Sequence, residues 1–207
     1  MTELEWQLRD WYDYLWLSGD TTIVCSGGHS VDKMSWWLGD VMPLKAVATG
    51  SRVYPAGGNT FDNCFVAYEY ADGIRGLLAC RSQAGCYSEN ADYIVGSEGT
   101  CTIHPGPSAV IQGANPWRYT GTKNNMYQTE HNELFASIRA GKPINDGTRM
   151  AHTTLMAILG RMAAYTGQEV TWEQALHSQQ ALAPAKLDWN TKLDSPPLAQ
   201  PGITPLV

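Results

Sequence analysis

Hydrophobic and polar positions follow two periods along this chain, a helical one toward each end and a two-residue alternation through the middle. Residues 4–17 (LEWQLRDWYDYLWL) are crowded with aromatic and leucine side chains and predict a helix that stops at Ser18-Gly19. Asp20 or Thr21 can cap a second helix through TTIVCSGGHSVDKMSWWLGD, ending near Gly39. From Pro43 to about Tyr119 the spacing changes to strands: Leu44–Val53, then Asn63–Tyr70, where Cys64, Val66, Tyr68 and Tyr70 alternate with Asn63 and Glu69. Asp72-Gly73 is a two-residue hairpin signal leading into Ile74–Ala84, and further strands are expected at Asp92–Gly96, Thr100–His104, Ala109–Gln112 and Trp117–Tyr119. Tight turns between consecutive strands predict an antiparallel meander.

Helical spacing returns at Tyr127, His131, Leu134, Phe135 and Ile138 and halts at Gly141-Lys142-Pro143. Asp146 can cap a long helix through Met150, Leu155, Ile158, Leu159 and Met162 that ends at Gly167, and Thr171 with Gln174 form a capping box for a short last helix. Helices packed on one face of an open, mostly antiparallel sheet make an α+β domain, expected over residues 1–183. The Pro-rich segment 184–207 is expected to be an extended arm lying on the surface or on a neighbour.

Within the second helix two stripes run side by side. Val24, Val31, Met34, Leu38 and Val41 would face a core. Cys25, His29, Asp32 and Trp36, spaced by four, three and four residues, share another edge and present a histidine and a carboxylate together. Gly27 and Gly28 immediately before His29 suggest close approach by a ligand or another backbone, or a local break in the helix.

Composition narrows the classes. A chain of 207 residues with 43% hydrophobic and 16% charged residues is long enough to bury a core and is not of a disordered type. A net charge of -6 without a Lys/Arg cluster speaks against a nucleic-acid surface. No apolar run is long enough for a membrane span, and MTELEWQLRD is not a signal peptide. Five cysteines without a CxxC pair suit reduced thiols, so a cytoplasmic protein is expected rather than a disulfide scaffold or a zinc site. Eight tryptophans and ten tyrosines fit core and interface packing, with sugar stacking as the functional alternative.

The runs EWQLRDWYDYLWLSGD, HSVDKMSW, YIVGSEGT and FASIRAGKPINDGTRMAHTTLMAILGRMAAYTGQ resemble the C-terminal domain of the glucose-fructose oxidoreductase / inositol dehydrogenase (Gfo/Idh/MocA) family, from about residue 3 to the Pro-rich tail. Enzymes of that family pair a Rossmann domain, which binds NAD(P), with an α+β domain that supplies the substrate pocket and, through its open sheet, much of the oligomer interface. The resemblance implies oxidation of a sugar, cyclitol or related polyol with hydride passing to the nicotinamide. In the family's catalytic helix a histidine sits four residues after an acidic residue and three before an aspartate, which correspond here to Cys25, His29 and Asp32. This sequence departs from the family in two ways. It has no GxGxxG turn and no Glu-Lys-Pro with the catalytic lysine, so no cofactor-binding residues are expected on it, and Cys25 stands where the family has Asp or Glu. A thiol with an ordinary pKa of about 8.5 is mostly neutral at pH 7 and does not replace a carboxylate.

His29 is therefore the candidate general base and Cys25 a degenerate acid position; Asp32 either holds a substrate hydroxyl or anchors the helix through an arginine pair, and Arg81, Asn90 and Tyr93 are candidate substrate contacts with ordinary sheet-face polarity as the alternative. Tyr127, Glu130, His131, Arg149 and His152 are read as structural, with closure of the site as the alternative. Cys25, His29 and Asp32 lack a fourth ligand, so no metal site is expected. The leading expectation is an isolated substrate-binding and oligomerisation domain of such an oxidoreductase, a homodimer or higher oligomer through its sheet face. It would bind a sugar or polyol without being catalytic alone. Rival readings are a non-catalytic self-associating module, a split dehydrogenase completed by a separate Rossmann polypeptide, and a hydrolase or lyase using Cys25 with His29.

Overall fold

The contacts of the chain divide it into two units, Met1–Ala84 with Gly147–Val207, and Gly85–Asp146, in a computed structural model that describes residues 1–54, 57–106, 108–193 and 197–207. In the first unit Thr2 and Glu5 form a capping box that starts α1 (Glu3–Arg9). The single helix expected over 4–17 is interrupted: a 3-10 turn at Trp11–Asp13 follows, then the short α2 (Leu15–Ser18). The cause is competition for backbone groups. The Asp13 carbonyl accepts from the N–H groups of Asn59 and Thr60 at 2.8 and 3.2 Å, and the Leu15 N–H donates to Asn59 Oδ1 at 2.9 Å. These bonds to the loop at 57–60 replace rungs of a helical ladder. The expected stop is present, with Gly19 in the left-handed region at φ 72°.

A π-helical turn (Thr21–Ser26) then leads into α3 (Gly28–Trp37). The sheet of this unit has four strands in the order β3-β2-β1-β8, all antiparallel: β1 (Lys45–Ser51), β2 (Asn63–Glu69), β3 (Arg75–Arg81) and β8 (Val170–Thr171). Asp72 and Gly73, at φ 57° and 77°, make the expected tight turn between β2 and β3. The two-residue β8, too short to read from alternation, is held by pairing of Val170 with Ala46.

Strand alternation separates two faces. The inner rows Ala46–Tyr68–Gly76, Ala48–Val66–Leu78 and Gly50–Cys64–Cys80 pack under α5 (Gly147–Thr166) and α3. Gly160 allows the close approach of α5, since a Cβ there would stand 2.5 Å from Tyr68 Oη and 3.2 Å from Val66. Val66, Tyr68, Met156 and Leu159 are fully buried at this contact, and each such side chain contributes about 1.5–3 kcal/mol of transfer free energy. On the outer face Lys45, Glu69 and Arg75 form an ion-pair row, beside the exposed Val47, Phe65 and Leu77. The capping box of Thr171 and Gln174 starts α6 (Trp172–Leu176) as expected. The arm at 184–207 has no regular element among its described residues; its residues 194–196 lie outside them. It returns to the end of α5, where the Gly202 N–H donates to the Thr166 carbonyl at 2.7 Å.

The second unit carries its own four-stranded antiparallel sheet in the order β4-β5-β6-β7: β4 (Asp92–Gly96), β5 (Gly99–His104), β6 (Ser108–Gly113) and β7 (Trp117–Arg118). The expected meander is thus two sheets, because residues 82–91 form no strand and β3 does not pair with β4. Asn125 caps α4 (Met126–Arg139), in which no residue is buried. Its apolar Met126, Tyr127, Leu134, Phe135 and Ile138 are all exposed. The fold class is α+β with open antiparallel sheets, and no helix among the described residues is long and apolar enough to cross a membrane.

Candidate functional site

The helix that carries His29 is anchored from below by a buried aspartate. Asp20 has no exposed surface and takes φ 138°, a conformation that an L-residue holds only when its surroundings over-determine it. They do so here. Its Oδ1 accepts from the Ile23 N–H at 2.6 Å and the Thr22 hydroxyl at 3.0 Å, and its Oδ2 from the Tyr165 hydroxyl at 2.5 Å. Tyr165 in turn accepts from the Phe61 N–H at 2.6 Å, and burial, followed by the Asp20 charge, pushes its phenol well above the ordinary range. Buried Arg161 donates to the Gly19 carbonyl at 3.0 Å and to Gln180 Oε1 at 2.6 Å.

The expected single helix from residue 20 to 39 is two segments. The N–H groups of Cys25 and Gly27 reach back five residues, to the carbonyls of Asp20 and Thr22 at 3.0 and 2.8 Å. Gly27 closes this turn because nothing larger fits: a Cβ would stand 2.9 Å from Cys80 Sγ and 3.0 Å from Leu78 Cδ2. Gly28 opens α3 with no atom near its missing Cβ.

Cys25 therefore does not lie on the helix of His29. Its thiol donates to the Ser18 carbonyl at 3.2 Å, and burial, then the charge of Asp20, raises its pKa. Such a thiol is a poor nucleophile and no carboxylate surrogate. His29 is exposed and Asp32 half-buried, one turn apart on α3, and among the described residues neither has a hydrogen-bond or ionic partner. Val31, Met34 and Ser35 hold the other side of the helix in the core. Farther along, Arg149 lies over the ring of Trp36 at 5.3 Å, and His152 stands edge-on to Trp172 at 5.9 Å.

Arg81 ends β3 opposite Asn63, and alternation puts it on the outer face of the sheet, the one that α3 does not cover. Asn90 and Tyr93 belong to the second unit. Asn90 is exposed in the segment before β4, and Tyr93 is an exposed β4 residue opposite Thr102, its phenol raised first by a hydrogen bond to Glu89. In α4, His131 Nδ1 bonds the Tyr127 carbonyl at 2.7 Å, a contact internal to the helix. Among the described residues no group of three or more His, Cys, Asp or Glu is placed to hold a metal ion.

One buried charge escaped the pattern reading. The Arg52 side chain is 6% exposed and lines a cavity of about 310 Å³. Its Nη2 is 3.3 Å from Asp13 Oδ1, while Nε and Nη1 have no partner among the described residues. Asp62, on the same cavity, accepts from the N–H groups of Val53 and Tyr54 at 2.8 Å each and from Asn63 and Gln83 at 2.8 and 2.9 Å. Burial pushes its carboxyl up, but these four bonds together hold it below the usual carboxylate value. The available signal was an arginine just beyond a strand end and an aspartate just before the next.

No protein-family model matches the sequence, and no curated protein does. Solved structures do share the fold. An aldose-aldose oxidoreductase from Caulobacter crescentus, complexed with glycerol, superimposes with TM-score 0.66 at 19% identity over 78% of this chain and 50% of its own. An oxidoreductase from Thermotoga maritima gives 0.62 at 22% identity, covering 78% and 50%. GenD2 of gentamicin A biosynthesis, in complex with NAD, gives 0.60 at 20% identity, covering 78% and 51%. The chain spans about half the length of these structures.

Proposed function

We propose that this chain is the substrate-side domain of an NAD(P)-dependent oxidoreductase of the Gfo/Idh/MocA type, binding a sugar or polyol and self-associating through a sheet face. The observation that carries the reading is the placement of His29. It is exposed on a helix whose opposite side is locked in the core, its ring uncommitted among the described residues, within a fold shared with oxidoreductases. In this reading His29 takes the proton of a substrate hydroxyl, and Asp32, one turn on, holds a neighbouring hydroxyl. Arg81, Asn90 and Tyr93 enter as separate substrate contacts, each tested by its own alanine variant. The aldose-aldose oxidoreductase with glycerol supports a polyol as the ligand class.

A dinucleotide does not fit the described residues. Both sheets are antiparallel, and no strand runs through a glycine-rich turn into a helix whose N–H groups could cradle a pyrophosphate. NAD(P) would be held by residues other than these, on the same or a separate Rossmann polypeptide. Cys25, turned to Ser18, gives the hydrolase reading no support.

Saturation-transfer NMR with D-glucose and myo-inositol tests the proposal. Transfer to at least one of them, lost in His29→Ala while the fold is kept, is the expected result. Absence of transfer to either, or its survival in His29→Ala, would overturn the assignment to α3. In parallel, NADH fluorescence should show no saturable enhancement with this chain; saturation would contradict the division of labour.

A further inference from the structure

We propose that Cys64 and Cys80 are a reversible dithiol–disulfide pair, oxidised by a small disulfide of the glutathione class, whose state is transmitted to the turn ahead of α3. Register brings the two thiols together. Cys64 and Cys80 are direct partners across β2 and β3 on the inner face of the first sheet, and both are free. At the open end of this hairpin the Ser82 N–H donates to the Asp62 carbonyl at 2.9 Å. Alternation makes Cys64 and Cys80, two residues further in, another hydrogen-bonded pair, whose Cα atoms lie about 5.5 Å apart. A disulfide spans Cα separations of about 4.4–6.8 Å. Of the other cysteines, Cys25 is bonded to the Ser18 carbonyl, and Cys86 and Cys101 belong to the second unit.

Access fixes the order of events. Cys64 is 6% exposed, whereas Cys80 is half-buried and open to a reagent. Its hydrogen bond with Cys64 holds the Cys80 thiol below its ordinary value, against burial and the charge of Asp20. The same bond, then burial, keeps Cys64 protonated until Cys80 is capped. Cys80 is therefore the attacking thiolate. It bonds to one sulfur of the small disulfide, whose S–S bond breaks, leaving a mixed disulfide on Cys80 and one free thiolate. Cys64 then attacks Cys80 Sγ and expels the second thiolate. The protons of Cys64 and Cys80 end on the two small thiols, so the protein pair loses two electrons and the reagent gains them.

Facing Cβ atoms in a sheet stand about 4.5–5.5 Å apart, wider than most disulfides hold them. Closing the bond draws the strand ends inward, and the resulting strain keeps it easy to reduce. The movement reaches the wide turn at Thr21–Ser26 directly. A Cβ on Gly27, which closes that turn, would stand 2.9 Å from Cys80 Sγ, and Thr22 Oγ1 lies 3.7 Å from Cys64 Sγ. The inference does not depend on what α3 binds.

Peptide mapping of the full chain tests it. Reduced protein is equilibrated with glutathione disulfide in about tenfold excess over glutathione, quenched in acid, alkylated in urea and digested with trypsin without reduction. Arg75 divides the pair, so the disulfide appears as peptide 53–75 joined to peptide 76–81. This joined species is the expected main product, and excess glutathione should remove it from the folded protein. In nitrogen-15 spectra of the same samples, the amides of Gly27 and Gly28 should move on oxidation and return on reduction. Absence of the joined peptide, or a link from either cysteine to Cys25 instead, would overturn the pairing. A joined peptide that survives excess glutathione would make the bond structural, and unmoved Gly27 and Gly28 amides would cut its tie to α3; either result overturns the proposal as well.

Discussion

Asp62 shows at the scale of one residue how a buried carboxylate can hold a loop and a strand together. Four N–H groups converge on it from Val53, Tyr54, Asn63 and Gln83, and the residue is 8% exposed. Asp62→Asn would turn an amide against donors and should cost about 2–3 kcal/mol at pH 7. Because the folded carboxyl lies below its ordinary value, this stabilisation is present above the unfolded pKa of about 3.9 and is lost as pH falls through the lower folded value. Urea melts of the two proteins should therefore differ at pH 7 and converge as the pH falls below the folded value. A gap independent of pH would assign the effect to shape alone. Cys25 gives the second test at this scale. Its thiol is raised by burial and by Asp20, so at pH 7.5 it should react with a disulfide reagent well after the exposed Cys86. Labelling of Cys25 first would restore it as a nucleophile. Spacing put His29 and Asp32 on one edge of a helix, as α3 has them, while their part in binding substrate rests on the resemblance and belongs to the proposal. Arg52 and Tyr165 were not legible, because what singles them out is burial and partners distant in sequence.

Among the elements, those fixed by local chemistry match their expectation. The left-handed stop at Gly19, the turn at Asp72-Gly73 and the capping box of Thr171 and Gln174 each depend on groups a few residues apart. The elements that differ are those where a distant segment intervenes, as when the loop at 57–60 claims the backbone of Asp13 and Leu15. The pair Gly27-Gly28 was read as a close approach or a break, and the structure assigns the two to different roles. Gly27 is pressed by Cys80 and Leu78, whereas Gly28 faces open space at the start of α3. Opposite effects follow from the same substitution. Gly27→Ala should destabilise by about 1–3 kcal/mol through overpacking, and Gly28→Ala should stabilise by about 0.5–1 kcal/mol through helix propensity. Thermal melts of the two single variants decide this, and shifts of the same sign would sink it.

For the molecule as a whole, the outer face of the first sheet is an apolar surface in need of cover. Val47, Phe65 and Leu77 are 46%, 44% and 60% exposed and lie between an ion-pair row and the row Ser51–Asn63–Arg81. An apolar band with polar margins is the ordinary composition of an interface. Under the proposed self-association, Leu77→Lys should turn an oligomer into a monomer by light scattering at micromolar concentration without changing the melting point by more than a few degrees. A wild-type monomer, or an unchanged variant oligomer, would refute the sheet face as the contact. That an open antiparallel α+β architecture was coming could be read from the switch between periods; that it forms two sheets could not, since residues 82–91 carry no pattern that distinguishes a long connection from a strand. The wide turn at Thr21–Ser26 has a last consequence. It spends more residues per revolution than the helix it feeds, and so acts as a vernier that sets the rotational phase of everything downstream. Removing Ser26 would advance α3 by about 100°, carrying His29 off its outward edge while its neighbours Val31 and Met34 lost their places beneath it.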